Sequence, residues 1–383
     1  MPLLIVLLAL AVFAQGTSEF MLAGLLPDIA ADLQISIPQA GLLTSAFAAG
    51  MILGAPLMAA LSRTWSPRLS LSGFLLIFIA MHVVGALTAS YELLLLTRVV
   101  AAVTNAGFLA VTLSTVSRLV PADRTARALA VILGGTTLAL IAGVPGGAVV
   151  GSVLDWRAAL WAVAAISVPA FVAVALAAPA RPSTAERPSS LGGELRSLRS
   201  ARLLTMLALA VLINGATFCA FTYLASLATD GAGLAANFVP IVLAVFGVGA
   251  FAGVWIAGRF GDAHSTRIVI GGGGALLLGW VVFALCAHDP RAVFVFSFLQ
   301  GVLSFAVGST LIAASVRAAH SAPTMSGSFA TSALNVGAAI GPMLGGIAFA
   351  SSAGTQGPLF VSAGLVAGAL LVMVSARSLL LRG

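Results

Sequence analysis

The sequence predicts an all-α membrane protein of twelve transmembrane helices, arranged as two six-helix halves that repeat each other. Three observations predict this architecture: an apolar composition, twelve apolar runs of membrane-spanning length, and a self-match at one constant offset. Of the 383 residues, 60% are hydrophobic and 8% are charged, whereas soluble domains carry about 25% charged residues. Most of the surface is therefore expected to face lipid.

The apolar runs are each about 20 residues long, enough to cross roughly 30 Å of hydrocarbon as a helix. They lie at 3–26, 37–60, 69–88, 91–117, 127–150, 157–178, 202–228, 238–258, 267–287, 291–315, 325–349 and 358–376. The first run has no basic flank and exceeds the core of a typical secretory signal, so we interpret it as a span.

The connection at 179–201 is longer than the others and rich in Pro, Ser and Arg. We therefore predict a six-helix bundle at 1–178, a cytoplasmic linker at 179–201 and a second six-helix bundle at 202–383.

All 18 basic residues are arginines, and their distribution predicts the orientation of the chain. With the N-terminus inside, 15 of the 18 fall in cytoplasmic segments, and the external loops hold Arg157 and Arg291. This bias predicts a cell (inner) membrane protein with both termini in the cytoplasm. The net charge of +7 is thereby explained without a nucleic-acid partner. The absence of Lys excludes a phosphate-binding loop, and no cofactor is expected.

The two halves match each other at an offset of 199 residues. The matched pairs are Gly16 and Gly215, Gly50 and Gly249, Gly54 and Gly253, Arg68 and Arg267, Arg118 and Arg317, and Gly146-Gly147 and Gly345-Gly346. Six spans in each half give both halves the same orientation, so they are parallel repeats about an axis along the membrane normal. A substrate site is expected near the midplane between the halves, and a monomer is expected because each chain would enclose its own pathway.

These features resemble the major facilitator superfamily over essentially the whole chain. Gly16-Thr-Ser-Glu19-Phe20 followed by Gly24-Leu-Leu-Pro27-Asp28 resembles the first span of its twelve-span drug:proton antiporter branch. Arg98 stands where that branch has an Arg in the fourth span. The sequence of the first two spans is most similar to that of chloramphenicol exporters, and sugar-efflux proteins share part of it.

Two further family motifs have counterparts here. Gly258-Arg259-Phe-Gly-Asp262 with Arg267, in the loop after span eight, resembles the cytoplasmic gating motif, while its first-half copy around Arg63 and Arg68 has no Asp. Two segments resemble the antiporter Gly-Pro motif: Gly143, Pro145 and Gly147 in span five, and Gly341, Pro342 and Gly345 in span eleven. A proline inside a helix removes a backbone donor and kinks it.

Glu19 is the only acid deep within a predicted span, where a carboxylate is costly unless it is paired, protonated or facing water. We therefore predict that Glu19 carries the coupled proton; a simple bond to a neighbouring helix is the alternative. The resemblance places spans one and four side by side, which would allow an ion pair between Glu19 and Arg98. A structural Arg that satisfies carbonyls is the alternative for Arg98.

Polar and aromatic side chains in the predicted spans are candidates for binding a drug. Amides could bond a neutral polar drug while aromatic rings cover its own ring; bonds between helices are the alternative for each amide. The candidates are Gln15, Phe20, Asn105, Phe108, Asn214, Phe218, Tyr223, Gln300 and Asn335.

The resemblance and these residues predict proton-coupled efflux of a small amphipathic drug, with chloramphenicol or a related phenicol as the first candidate. The alternative is efflux of a sugar or nucleoside-like metabolite. An enzyme is not expected, because the sequence has no Gly-x-Ser-x-Gly motif and its four histidines are scattered. No metal site is expected either. His82, in span three, is either a proton relay or a packing histidine.

Overall fold

The computed structural model describes residues 3–61, 65–119, 131–132, 134–178, 200–318 and 326–376. Over these ranges the chain is helical and contains no β-strand. The longer α-helices are α1 (Leu3–Phe20), α2 (Leu26–Asp32), α3 (Ile37–Leu61), α4 (Pro67–Leu87), α5 (Tyr91–Leu119), α6 (Val144–Val153), α7 (Trp156–Ala177), α8 (Ala201–Thr222), α9 (Val239–Leu285), α10 (Pro290–Ala318), α11 (Ser326–Phe349) and α12 (Gly357–Ser375).

Twelve helical segments of the described chain are long and apolar enough to cross a membrane, which confirms the predicted fold class. They run Leu4–Gly24, Ile37–Gly54, Pro67–Leu87, Tyr91–Thr112, Gly134–Val153, Trp156–Ala177, Ala201–Thr222, Ala236–Gly261, His264–Leu285, Pro290–Ala318, Phe329–Phe349 and Gly354–Ser375. Residues 127–130 of the predicted fifth span lie outside the described residues.

The chain divides into two compact units, Met1–Thr184 with Val239–Ala244, and Ala185–Phe238 with Val245–Gly383. The predicted bundles 1–178 and 202–383 account for most of these two units. Residues 179–199 of the predicted linker lie outside the described residues.

Polar residues at the predicted loop ends start several of the helices. The Ser66 hydroxyl accepts a hydrogen bond from the backbone N–H of Leu69 ahead of α4, and the Asp155 carboxylate accepts one from Ala158 ahead of α7. A side-chain acceptor at this position satisfies an N–H that the helix itself leaves without a partner. These caps fix where the membrane helices begin.

Glycines form two close seams, one in each unit, at matching positions of the repeat. A Cβ added to Gly50 in α3 would lie 2.6 Å from the Val99 carbonyl oxygen in α5, so the two backbones nearly touch. Gly249 in α9 approaches the Phe298 carbonyl oxygen of α10 in the same way. Both members of the second pair follow their first-half counterparts by 199 residues, so the repeat read from the sequence extends to helix packing.

Regular α-helix is interrupted at several places in the described chain. A 3-10 turn, Met21–Gly24, follows α1, and π-helical turns lie at Ala139–Gly143 and Leu227–Gly231. Pro169 lies inside α7 and Pro342 inside α11. A further break is at His264 (φ −131°, ψ 27°) in α9.

The break at His264 corrects the prediction of a loop after span eight. The gating-motif residues lie instead in a helical stretch that turns at His264, and spans eight and nine join there without a longer irregular segment.

Candidate functional site

Arg98 is buried in the first unit, where it contacts side chains of two other helices, one of them bonded in turn to His82 of a third. It lies in α5 with 2% of its surface exposed. Its Nη1 donates to the Ser18 hydroxyl at 2.9 Å and its Nη2 donates to the Ser18 backbone oxygen at 2.5 Å. Its guanidinium carbon lies 4.5 Å from the centre of the Phe47 ring. Ser18, Phe47 and His82 together are called the Arg98 seat below.

His82 completes the seat from α4, where it is 1% exposed. Its Nε2 lies 2.6 Å from the Ser18 hydroxyl oxygen, and its Nδ1 lies 2.8 Å from the Phe78 backbone oxygen one turn earlier. Both ring nitrogens are therefore hydrogen-bonded. The sequence left His82 undecided between relay and packing and gave Ser18 no role. The one signal present was a polar residue within each of spans one and three.

Glu19 follows Ser18 directly and is partly buried. The expected ion pair with Arg98 is not formed in this structure, because no nitrogen of Arg98 comes within 4.0 Å of the Glu19 carboxylate. Each terminal nitrogen of Arg98 instead donates a hydrogen bond to Ser18. The two charges still interact through space.

The five candidate amides differ in how much of their hydrogen-bonding capacity is already used. Asn214 donates to a backbone oxygen of α11 at 2.6 Å, and Gln300 donates to one of α9 at 3.1 Å. Asn335 donates to a backbone oxygen of its own helix at 3.0 Å. Both amide atoms of the buried Gln15 lack a hydrogen-bond partner among the described residues. Asn105 is 4% exposed. Hydrogen bonds between helices therefore use part of the bonding capacity of Asn214 and Gln300. The amide of Gln15 remains available to a ligand or water.

The candidate aromatic residues are all buried. Phe108 packs in the hydrophobic core of the first unit. Tyr223 donates from its hydroxyl to the Pro342 backbone oxygen at 2.9 Å and so joins α8 to α11. Phe20 and Phe218 are 9% and 7% exposed. The sequence placed all four rings around a drug, whereas the structure gives Phe108 and Tyr223 packing partners within their own units.

The second unit contains a small cavity of about 10 Å³, close to the space that one water molecule needs. Three buried polar atoms of residues that line it, Trp280 Nε1, Ser297 Oγ and Gln300 Oε1, have no hydrogen-bond partner among the described residues. Phe221, Phe246 and Phe283 add aromatic surface. Gln300 was predicted from the sequence, whereas Trp280 and Ser297 were missed.

The cavity lies at the repeat position that Arg98 fills in the first unit. Phe246 and Ser297 follow Phe47 and Arg98 by 199 residues. Where the first unit has a guanidinium against a Phe ring, the second has a short hydroxyl and a cavity of about 10 Å³. The offset was the signal that could have located this cavity.

An ion pair joins α2 to the start of α7. Arg157 donates to the Asp32 carboxylate at 2.5 Å, and Trp156 Nε1 donates to the same oxygen at 3.2 Å. The Arg157 hydrogen bond, with the smaller one from Trp156, holds the pKa of Asp32 below its ordinary value. The sequence assigned Arg157 to an external loop but did not identify its partner.

Comparison with known sequences identifies the family. The sequence model of the Major Facilitator Superfamily matches residues 8–257. The chain belongs to the major facilitator superfamily. It is therefore a membrane transporter, with multiple spans, and not an enzyme.

Two curated major facilitator relatives match almost end to end. The chain is 52% identical over 385 residues to a chloramphenicol resistance protein of Streptomyces lividans, covering 99% of this chain and 97% of the relative. It is 31% identical over 372 residues to the inner membrane transport protein YdhP of Escherichia coli K12, covering 97% and 95%.

Solved structures of transporters share the fold. A bacterial homologue of the human lysosomal transporter Spinster, inward-facing and unoccupied, has a TM-score of 0.76 at 17% identity, covering 98% of this chain and 96% of that one. The nucleoside transporter NupG has a TM-score of 0.78 at 12% identity, covering 97% and 98%. At these identities the likeness concerns the fold alone.

The major facilitator gating motif differs between the two halves. In the second half Gly258, Arg259 and Arg267 are exposed, and the side chain of Asp262 lies outside what the structure describes. In the first half, Arg63 also lies outside the described residues. Arg68 there donates from Nε to the Ala178 backbone oxygen at 2.8 Å. This contact lies at the end of α7, where helix carbonyls lack partners and favour a cation. Arg68 thus has acceptors in a half that lacks the motif Asp.

The Gly-Pro motifs lie where helices approach closely. A Cβ on Gly147 would lie 3.2 Å from Met21, and one on Gly345 would lie 2.9 Å from Cys219. Gly143 and Gly341 press against Thr17 and Gly215. Of the two motif prolines, Pro145 is separated by one residue from the π-helical turn that ends at Gly143, and Pro342 lies inside α11. Both motifs lie at close helix contacts; that they bend their helices during transport stays a prediction.

Within the described residues no group of three or more His, Cys, Asp or Glu side chains could hold a metal ion.

Proposed function

We propose that this transporter exports a small amphipathic drug, with chloramphenicol or a related phenicol as the first candidate, in exchange for protons. The observation that carries the proposal is the 52% identity to a chloramphenicol resistance protein over 99% of the chain. An identity of this size over almost the whole chain supports a substrate of the same class.

The first unit supplies groups suited to proton coupling. Glu19 lies within a membrane span, and a carboxylate there is expensive unless it is protonated, paired or hydrated. Arg98 is close enough to influence that cost through space. Exchange of a drug for a proton requires that the transporter does not hold both at once. Glu19 suits this requirement, because its counter-ion Arg98 can bind other partners and so change how readily Glu19 keeps its proton.

Other groups are suited to a neutral polar drug. Gln15 has a free amide four residues before Glu19, one turn along the same helix. A drug bonded to Gln15 would therefore lie beside the proton-carrying group. In the second unit, Trp280, Ser297 and Gln300 offer one donor, one hydroxyl and one acceptor against aromatic rings. The cavity of about 10 Å³ between them is far smaller than a small-molecule site, so the helices would have to move apart before a drug could bind there.

The orientation follows from charge. With 15 of 18 arginines in segments on one side, we infer a cell (inner) membrane location with both termini in the cytoplasm. The transported partners are then a drug and protons, without a cofactor or nucleic acid, and a monomer suffices.

The test is accumulation of radiolabelled chloramphenicol in cells that express the chain, with and without a protonophore. Proton-driven export predicts lower accumulation than in empty-vector cells, and loss of the difference when the protonophore is added. Unchanged accumulation would reject phenicols and make sugars and nucleoside-like metabolites the next substrates to test. Lower accumulation that survives the protonophore would reject proton coupling.

A further inference from the structure

We propose that Ser18 and His82 are positioning residues that hold Arg98 on the end of α1, away from the Glu19 carboxylate. This inference rests on the proposed role of Glu19 and Arg98 in proton coupling. Ser18 and Glu19 are adjacent, so one guanidinium has two alternative partners. The seat determines which of the two it occupies.

The donors and acceptors of the seat have one consistent arrangement. The Phe78 backbone oxygen can only accept, so His82 Nδ1, at 2.8 Å, carries a hydrogen. The Ser18 hydroxyl oxygen already accepts from Arg98 Nη1, so its own hydrogen points elsewhere. His82 Nε2, at 2.6 Å from that oxygen, is the available acceptor. The chain of donation runs from Arg98 through Ser18 to a neutral His82.

A charged His82 would break this arrangement. A second N–H would then point at the Ser18 oxygen, and two cations would share one buried hydroxyl with no carboxylate of the described residues within ion-pair distance. Burial makes such a pair costly. The ring is therefore an acceptor that orients the hydroxyl, and the hydroxyl in turn orients the guanidinium.

The backbone of α1 contributes the second half of the seat. The helix ends at Phe20 and continues as a 3-10 turn, so Ser18 is among its last four residues. Carbonyls there lack an N–H from the next turn and carry the negative end of the helix dipole. The Ser18 carbonyl accepts from Arg98 Nη2 at 2.5 Å. The interruption of α1 thus supplies an acceptor that a continuous helix would use itself.

Occupying the seat has a consequence for Glu19. With Nη1 and Nη2 on Ser18 and its charge over Phe47, Arg98 has two acceptors that are not carboxylates, and its buried Nε has no hydrogen-bond partner among the described residues. Glu19 is then left without an ion-pair partner, and a buried carboxylate in that position keeps its proton. Loss of the proton creates a charge that competes with Ser18 for Arg98. The seat therefore sets the balance between a proton-holding and a proton-releasing state.

Two matched pairs of variants test the positioning role. Ser18→Ala removes the hydroxyl, and Ser18→Thr keeps it. His82→Asn places its amide near the Nδ1 position and keeps the bond to Phe78, whereas His82→Gln reaches the Nε2 position and keeps a partner for Ser18. The readouts are the maximal rate and the KM of proton-driven drug export in everted vesicles, with the melting temperature in detergent as a folding check.

We expect Ser18→Ala and His82→Asn to lower the maximal rate at least fivefold while KM changes less than twofold. Ser18→Thr and His82→Gln should stay within threefold of the parent protein. Equal loss in both members of each pair, or no loss in any of them, would overturn the proposal.

A second measurement does not depend on transport. In protein with ¹⁵N-labelled histidine, the His82 signal, identified by its disappearance in His82→Gln, should show a protonated Nδ1 and a bare, hydrogen-bonded Nε2. Ser18→Ala should shift the Nε2 signal. A protonated Nε2, or an Nε2 signal that ignores Ser18→Ala, would refute the seat even if chloramphenicol proves not to be the substrate. Failure of export by the parent protein, with the expected signals present, would reject the proposed function alone.

Discussion

Replacing Arg98 with Lys tests whether the geometry of the guanidinium matters beyond its charge. Arginine reaches Ser18 with two parallel N–H groups and stacks on Phe47. An ammonium is a point charge that cannot reproduce this fork. The variant keeps the positive charge near Glu19 and changes its placement.

The magnitude follows from the contacts that are lost. Lysine can keep one of the two bonds to Ser18, so one charge-assisted bond disappears. Such a bond contributes about 1.5–3 kcal/mol in general, and hydrogen bonds between membrane helices average about 0.6 kcal/mol. Weaker stacking on Phe47 adds about 0.5–1 kcal/mol. We expect a total near 1–3 kcal/mol, which corresponds to about a 5–150-fold loss in coupled transport rate.

The assay is the initial rate of proton-driven chloramphenicol uptake into everted vesicles at matched expression. Arg291→Lys is the control, because Arg291 is exposed at the start of α10 and is not part of the seat. A twofold or smaller difference between Arg98→Lys and the parent protein would refute the argument from geometry, leaving charge alone as the function of Arg98.

Three other perturbations have defined outcomes. Glu19→Gln should abolish the protonophore-sensitive part of export while drug binding persists, and normal coupling would exclude Glu19 as the proton carrier. Gly50→Ala should lower the free energy of unfolding in detergent by about 1–3 kcal/mol, because the added Cβ has no room against α5. Gly73→Ala is the control, since a Cβ there has no atom within 4 Å, and equal effects of the two variants would contradict the seam. Asp32→Asn should lower the melting temperature slightly at pH 7, because the depressed pKa of Asp32 keeps it charged beside Arg157. The difference in melting temperature between variant and parent should vanish as the pH falls through that pKa. A difference that stays constant with pH would contradict the ion pair.

The membrane spans could be predicted from the sequence because hydrocarbon thickness sets a length that apolar runs report directly. The repeat was equally readable, since Gly50 and Gly249 sit where backbones must approach and larger residues would not fit. Both predictions depend on local composition and on one offset along the chain.

The Arg98 seat could not be predicted in the same way. Ser18 and His82 are 64 residues apart, and their contact depends on how three helices pack. From the sequence, the expected partner of a buried Arg is the nearest acid, which here is Glu19. In the structure Arg98 donates to the hydroxyl and the backbone oxygen of Ser18 instead, because both lie at the end of α1 within reach of one guanidinium.

Phe108 shows the same limit for apolar residues. Helix periodicity does not separate a ring that lines a cavity from one that packs in a core, and Phe108 does the latter. The cavity of the second unit could not be predicted from periodicity either, because a cavity depends on where a small side chain stands in place of a large one.

Arg98 and Ser297 occupy the same position of the repeat. The glycine seams beside them match between the two halves, whereas these two residues differ. The first half fills the position with a buried guanidinium, and the second leaves a cavity of about 10 Å³ beside a hydroxyl. The second unit is therefore an internal control for the first: it has the same close helix packing without the buried charge.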